Sequence, residues 1–430
     1  MPWSVKEKCQ PREWEERIDK TKPYNIEKWT VMDAWKRVKA KGGGPGIDGQ
    51  TIEAFGENLK DNLYKIWNRM SSGSYFPPAV KKCEIPKEGG KIRVLGIPTV
   101  SDRVAQMVAT MVLEPKVEPH FHEDSYGYRP NKSAVDAVGK ARERCWRYDW
   151  VIDLDIQGFF NTIDHAKTLE LVGKYTEEKW ILLYVERWLK APLETVDGKR
   201  EMREKGTPQG GVISPLLANI YLHHAFDVWM REEFGTLPFE RYADDMIVHC
   251  ATEKQARYVL ERIRRRLEQW GLILHPEKTK IVYCKDDNRT GGSPHTKFTF
   301  LGYEFRARRV KNERQGNVFV GFTPAVSPKA QKRIRYTMRS WRLGVRTPMT
   351  LEAIAKMVNP VVRGWINYYG RYHRSALGPV FHQLDVQLAK WAMRKYKRRH
   401  RRLVHTLRWL AQIAQTRPIL AHWEWRLNAV

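Results

Sequence analysis

The sequence predicts an α+β chain of more than one domain, in which a mixed strand-and-helix region is followed by a strongly basic helical module. Three observations lead there. Period-two alternation marks strands at Cys83, Ile85 and at Ile92, Val94, Leu95, and again at Val151-Ile152-Asp153-Leu154-Asp155-Ile156. Helix-start signals follow them, such as Ser214-Pro215 and Ser327-Pro328. The stretch from Ala325 to Val430 carries 22 Lys and Arg against three acidic residues, Glu352, Asp385 and Glu424, so +19 of the total charge of +27 lies in the last quarter. At 430 residues the chain is too long for one compact core. The shift in charge sets off the last quarter as a separate basic module.

The charge, with a pI near 9.8, calls for a polyanionic partner, either nucleic acid or an anionic membrane surface. The 17 Trp favour nucleic acid. The longest apolar stretch in the middle, Val104 to Leu113, contains Gln106 and is too short to cross a bilayer. No secretory signal core follows Met1-Pro2-Trp3-Ser4, so the chain is expected in the cytosol with no membrane partner. The cysteines, Cys9, Cys83, Cys145, Cys250 and Cys284, are odd in number and never in a CxxC pair, which argues against a zinc site or a disulfide framework.

Along the chain, a helix over about 27–41 precedes Gly42-Gly43-Gly44-Pro45-Gly46-Ile47-Asp48-Gly49. Consecutive glycines allow close approach to a bulky ligand, or form a plain linker. Another helix ends near Met70. The strands after Cys83 are joined by Pro86-Lys87-Glu88-Gly89-Gly90, giving a hairpin that presents Lys87, Lys91 and Arg93 and suits triphosphate oxygens. Asp153 and Asp155 share one face of the strand 151–156, and buried carboxylates need a partner or a metal. In Gly206-Thr207-Pro208-Gln209-Gly210-Gly211-Val212-Ile213-Ser214-Pro215 the expected helix cap is Ser214, and Gln209 offers both a donor and an acceptor.

Tyr242-Ala243-Asp244-Asp245 places two consecutive carboxylates beside Met246-Ile247-Val248. Neighbouring strand residues face opposite ways, so both aspartates serve one site only at a hairpin turn. Two unit charges about 4 Å apart repel by roughly 4 kcal/mol at an effective dielectric near 20, a cost that a divalent cation removes. In the basic quarter, Ser327 and Thr350 cap helices, and Gly378-Pro379 precedes one expected to run to about Arg399, for three helices in all. Arg394, Lys395, Lys397, Arg398, Arg399, Arg401 and Arg402 interleave with Trp391, Tyr396 and Trp409, a pattern suited to phosphate.

These motifs, taken in order, resemble bacterial group II intron-encoded reverse transcriptases, or maturases. The resemblance rests on IPKEGGKIRVLGIPTVSDR (85–103), YGYRPNKSAVDAV (126–138), DLDIQGFFNTIDH (153–165), GTPQGGVISPLLANIYLHH (206–224), RYADD (241–245), LHPEKTK (274–280), FLGYEF (300–305) and GWINYYG (364–370). It implies a right-hand polymerase: an N-terminal extension and the start of the fingers over 1–80, fingers and an antiparallel palm over 81–322, and a basic α-helical thumb/maturase domain with a short DNA-binding segment over 323–430. Asp155, Asp244 and Asp245 correspond to the catalytic, metal-binding carboxylates for two Mg²⁺, with Mn²⁺ as a substitute. The residues alone leave Asp153 and Asp155 equal; the resemblance selects Asp155, five residues before Phe160, and leaves Asp153 beside the site. It makes Phe160 the residue that excludes a ribose 2′-hydroxyl, and Lys87, Arg93 and Gln209 contacts for the incoming dNTP, with Lys91 a weaker candidate. Lys278 corresponds to a possible general acid, Tyr242 to support beside the primer, Leu301-Gly302-Tyr303 to the primer grip, and Arg363, Arg371 and Arg374 to RNA contacts. Trp365, Tyr368 and Tyr369 have the i, i+3, i+4 spacing of a helix core. The implied partners are group II intron RNA as template, a DNA primer or target, and dNTPs. No cysteine follows Cys284, so the type without an HNH endonuclease is expected. A domesticated enzyme of defence or repair, a splicing-only maturase and an RNA polymerase on the same fold are the alternatives.

Overall fold

The computed structural model describes residues 22–86, 92–311 and 316–427. Lys87 and Lys91 lie outside them. The strands are β1 (Val80–Pro86), β2 (Ile92–Ile97), β3 (Trp150–Asp155), β4 (Leu193–Glu194), β5 (Arg200–Glu201), β6 (Phe239–Tyr242), β7 (Asp245–Cys250), β8 (Lys280–Tyr283), β9 (Lys297–Phe300), β10 (Tyr303–Lys311) and β11 (Val318–Val326). Two compact units interleave along the chain: 1–131, 156–236 and 261–275 form the first, and 132–155, 237–260 and 276–430 the second.

In the first unit, a four-stranded sheet in the order β2-β1-β4-β5 joins the expected β1–β2 hairpin to a parallel β4. Its core is the helix Val100–Val117, capped by Thr99, which accepts from the Asp102 amide. Val104, Ala105, Val108, Ala109, Leu113 and Val117 are all buried, so the apolar stretch is the centre of a soluble-type core packed on several sides. The glycine loop is no free linker. Arg103 of this helix donates to the carbonyls of Gly42 at 3.3 Å and Gly44 at 2.7 Å. The single helix expected to end near Met70 is two, Ile52–Glu57 and Leu59–Ser71, broken at Asn58. Ser214 does not cap its helix: it is the first residue of Ser214–Leu222, and its hydroxyl instead accepts from Thr207 at 2.7 Å.

In the second unit, β6-β7-β3-β8 form an antiparallel sheet and β11-β10-β9 a second one. The helix Ala134–Cys145 starts at a capping box between Ser133 and Asp136. Ser327 and Thr350 cap as expected, accepting from Ala330 and Ala353. The basic quarter holds five α-helices among the described residues, Pro328–Ser340, Leu351–Tyr369, Gly378–Lys395, Leu403–Thr416 and Ala421–Leu427, where three were expected. The third stops at Lys395 rather than near Arg399, because Tyr396 turns to extended backbone. Asp385 then fixes the last helix. It accepts from His422 Nε2 at 2.7 Å, Trp423 Nε1 at 2.9 Å and Arg426 Nη1 at 2.6 Å, and these donors hold its carboxyl down at about 2 despite burial. No described helix is long and apolar enough to cross a membrane.

Candidate active site

Within the second unit, Tyr242 of β6 pairs with Asp245 of β7, so Ala243 and Asp244 make a two-residue hairpin turn. Ala243 sits at φ +56°, a left-handed conformation that costs an L-residue about 1–2 kcal/mol. Arg241, wholly buried, donates toward the Ala243 carbonyl at 3.4 Å and holds that turn from behind. On the neighbouring strand, Asp155 lies opposite Asp245 in register, and Asp153 opposite Ile247 and Lys280. The turn escapes the strict alternation, and it carries Asp244 next to the facing pair Asp155 and Asp245.

The carboxylates at this end of the sheet raise one another's pKa, with Lys278 and Lys280 opposing. Desolvation, then the charges of Asp244 and Asp155, push the Asp245 carboxyl up to about 7, with Lys278 opposing. Asp245 is solvent-accessible, so water screens part of this effect. Desolvation, then Asp245 and Asp155, push Asp153 up to about 7 as well, with Lys280 opposing. Lys278 Nζ lies 2.7 Å from Asp155 Oδ2, an internal cation standing where the carboxylates call for one. Asp155, Asp244 and Asp245, the residues expected to hold a metal, offer an all-oxygen donor set of the kind that suits Mg²⁺. Among the described residues no three acidic, histidine or cysteine side chains are drawn around a common point. The chemistry of the donors fits a hard cation.

Sequence reasoning missed the network behind this hairpin. Glu240 of β6 is fully buried, accepting from Arg144 Nη1 at 2.6 Å and paired with His249 Nε2 at 2.6 Å. The available signal was a Glu-Arg pair inside a strand otherwise destined for the core.

The expected primer-grip residues form another tight turn in the second unit. Leu301 at φ +50° and Gly302 at φ +81° join β9 to β10, whose ends pair Phe300 with Tyr303. Both central residues are left-handed, the pattern of a type I′ hairpin. The helix Leu351–Tyr369 braces it. Tyr368 Oη donates to the Leu301 carbonyl at 2.8 Å, Tyr303 Oη donates to the Tyr368 carbonyl, and a Cβ on Gly302 would meet Tyr369 Oη at 3.0 Å. Of the aromatic stripe expected as core, Tyr369 is buried, while Trp365, stacked on Trp341, and Tyr368 are half-buried. Tyr368→Phe is expected to lower stability by about 1 kcal/mol and to slow primer extension with the KM for dNTP unchanged, a split that steady-state kinetics read directly. Arg363 and Arg371 face solvent. Arg374 is spent on Trp425, donating to its carbonyl at 2.9 Å with its guanidinium 5.0 Å from the indole.

In the first unit, Arg93 Nε donates to Gln209 Oε1 at 2.8 Å, bringing together two of the predicted dNTP contacts. The Gln209 carbonyl accepts from Gly96 at 2.9 Å. A Cβ on Gly210, at φ +129°, would stand 2.4 Å from the Gly96 carbonyl oxygen, so only glycine fits there. Gln106, which merely interrupted an apolar stretch in the sequence, props this loop. Its Oε1 accepts from Val212 at 2.7 Å and Ile213 at 3.2 Å, while its Nε2 donates to Asp102 at 2.9 Å. Asp102 also accepts from Tyr75 and Trp188; burial lifts its carboxyl to about 6 against these three donors. Phe159 is buried whereas Phe160 is half-buried, meeting it edge-on at 5.4 Å. A cavity of 430 Å³ lies beside Gly42–Gly44, Leu95–Pro98 and Gln209–Val212.

Carboxylates at a β-hairpin, in a chain that also carries a basic helical module, suit chemistry on phosphate esters of nucleic acid. Residues 85–305 match the family of reverse transcriptases (RNA-dependent DNA polymerases), and residues 331–409 match the group II intron maturase-specific domain. The chain belongs to the reverse transcriptase family, in its group II intron-encoded branch. It is 30% identical over 326 residues to protein YkfC of Escherichia coli, covering 66% of this chain and 81% of that protein. To the group II intron-encoded protein LtrA of Lactococcus lactis it is 35% identical over 248 residues, 57% of this chain and 39% of LtrA. A putative COX1/OXI3 intron 1 protein of Saccharomyces cerevisiae is 28% identical over 335 residues, 65% of this chain and 39% of that protein.

Proposed function

We propose that the chain copies group II intron RNA into DNA at Asp155, Asp244 and Asp245, and that its maturase-specific part binds the same intron RNA to assist splicing. The fingers and palm are assigned to 81–322, after an N-terminal extension over 1–80, and the thumb with the maturase segment to 323–430. The register that sets Asp155 opposite Asp245, next to the turn carrying Asp244, carries this reading. Asp155, Asp244 and Asp245 would hold two Mg²⁺ ions, for which Mn²⁺ would substitute, and the bound metal would supply charge neutralisation at the reacting phosphates and a lowered pKa at the primer 3′-hydroxyl. The chain's own residues supply the rest. Arg93, held by Gln209, orients the triphosphate, together with Lys87. Lys278, beside Asp155, is poised as the proton donor to departing pyrophosphate. The Leu301-Gly302-Tyr303 turn, braced by Tyr368, positions the primer end, and such positioning accounts for most of the acceleration in phosphoryl transfer. The partners are an RNA template, a DNA primer or target and dNTPs, in the bacterial cytosol.

Extension of oligo(dT) on poly(rA) tests this against a splicing-only protein: dTMP incorporation that needs added Mg²⁺ and stops with a chelator is expected. Phe160→Ala should raise ribonucleotide use by about one to two decades, since the misfit of a 2′-hydroxyl against the ring costs roughly 1–3 kcal/mol. An unchanged ratio of dTTP to UTP incorporation would remove Phe160 from the dNTP site.

A further inference from the structure

The second unit holds a cation-lined cavity of 540 Å³ walled by Tyr396, Lys397, Arg398, Arg399, Arg402 and Trp409. Between Asp385 and Glu424 the chain has ten Lys and Arg and no acidic residue, and Asp385 is already engaged by His422, Trp423 and Arg426. Lys397, Arg398 and Arg402 are exposed and make no ion pair among the described residues. Arg394 and Lys395, by contrast, are bound to the carbonyls of Gly344, Thr347 and Met349, and brace the fold. Crowded like charges without a counter-charge favour a polyanion.

The cavity is more than a basic patch, because it has an anchored aromatic wall. Trp391 is fully buried and donates to the Arg346 carbonyl at 3.0 Å. Tyr396 meets Trp391 edge-on at 6.1 Å and Trp409 at 5.9 Å, and remains 39% exposed. The Arg399 guanidinium lies 3.9 Å from the centre of the Trp409 ring, held over its face. Such an arginine offers its outer plane to a nucleobase and its edge to phosphate oxygens. A paired base has both faces covered by its neighbours in the stack, whereas an unpaired one leaves a face to bind. The volume falls in the range of pockets that enclose one small molecule, roughly 300–1,000 Å³.

We infer that this cavity holds one unpaired nucleotide of an RNA strand, its base against Arg399 and Tyr396 and its flanking phosphates on Lys397, Arg398 and Arg402. The choice of RNA rests on the proposed maturase reading, since every lining residue falls within the 331–409 match to the maturase-specific domain.

Equilibrium binding of two labelled RNA hairpins, identical except for one bulged adenosine, tests the inference on the full chain without dNTP or Mg²⁺ at fixed salt. The bulged hairpin should bind about 5- to 100-fold more tightly, the scale of one base stacked on a protein plane. Arg399→Gln and Tyr396→Ala should each remove most of that difference, while Arg398→Gln weakens both hairpins alike. Equal binding of the two hairpins overturns the inference, as does a difference that survives both Arg399→Gln and Tyr396→Ala. A bulged DNA hairpin bound with the same preference overturns the assignment to RNA. No polymerisation occurs in this assay, so its failure leaves the polymerase reading standing, and a failure of dTMP incorporation leaves this site standing.

Discussion

Asp245→Asn is expected to slow RNA-templated DNA synthesis about a hundredfold or more, and to make the metal-free protein more stable at neutral pH. Both effects have one cause. The Asp245 carboxyl is lifted from its ordinary 3.8 to about 7, by desolvation and then by Asp244 and Asp155. A carboxyl whose folded pKa is raised resists ionisation in the folded state, so the wild-type protein loses stability as pH climbs from about 4 through about 7. Asparagine does not ionise and suffers no such loss. Its gain should be absent at pH 4 and complete above pH 7, at about 1 kcal/mol once the water reaching Asp245 is discounted. Urea midpoints of both proteins at the two pH values measure it. A variant that is inactive and also less stable at pH 8 would contradict the picture of a site held open for cations. The trade of stability for function is common at active sites.

Glu240→Ala should cost about 3–5 kcal/mol of stability, because it leaves the Arg144 and His249 ends without their buried partner. Arg144 would lose its 2.6 Å ion pair and keep its 2.9 Å bond to the Phe239 carbonyl, and His249 would lose the 2.6 Å contact of Nε2. Glu240→Gln keeps the shape and one acceptor and should cost less. β6, which carries Glu240, leads directly into the Ala243-Asp244 turn, so activity should fall along with stability. Unchanged denaturation midpoints for the alanine variant would show that the network does not bear on folding.

The acidic site was legible in the sequence because carboxylates inside strand-like segments are conspicuous. Period two brought Asp153 and Asp155 to one face and left them equal. Pairing across the sheet places them differently: Asp155 lies opposite Asp245 and holds Lys278, while Asp153 lies two pairs further in, opposite Lys280. What escaped was the long-range polar scaffolding. No local pattern reports that Gln106 will prop a loop more than a hundred residues away, or that Tyr368 will hold the Leu301 carbonyl. Ser214 followed the rule for a cap, yet Thr207 claimed its hydroxyl. In the basic quarter, the run of Lys and Arg hid the break at Tyr396, and the following helix, Leu403–Thr416, starts without a side-chain cap that would have marked it.

The central claim is that one cluster of carboxylates performs template-directed nucleotide addition. Incorporation of dTMP on poly(rA)/oligo(dT) by wild type and by Asp244→Ala, each with matched folding and matched RNA affinity, addresses it most directly. Robust incorporation by the wild type and a loss of about a hundredfold or more in the variant is the expected result. Undiminished incorporation by Asp244→Ala would contradict it.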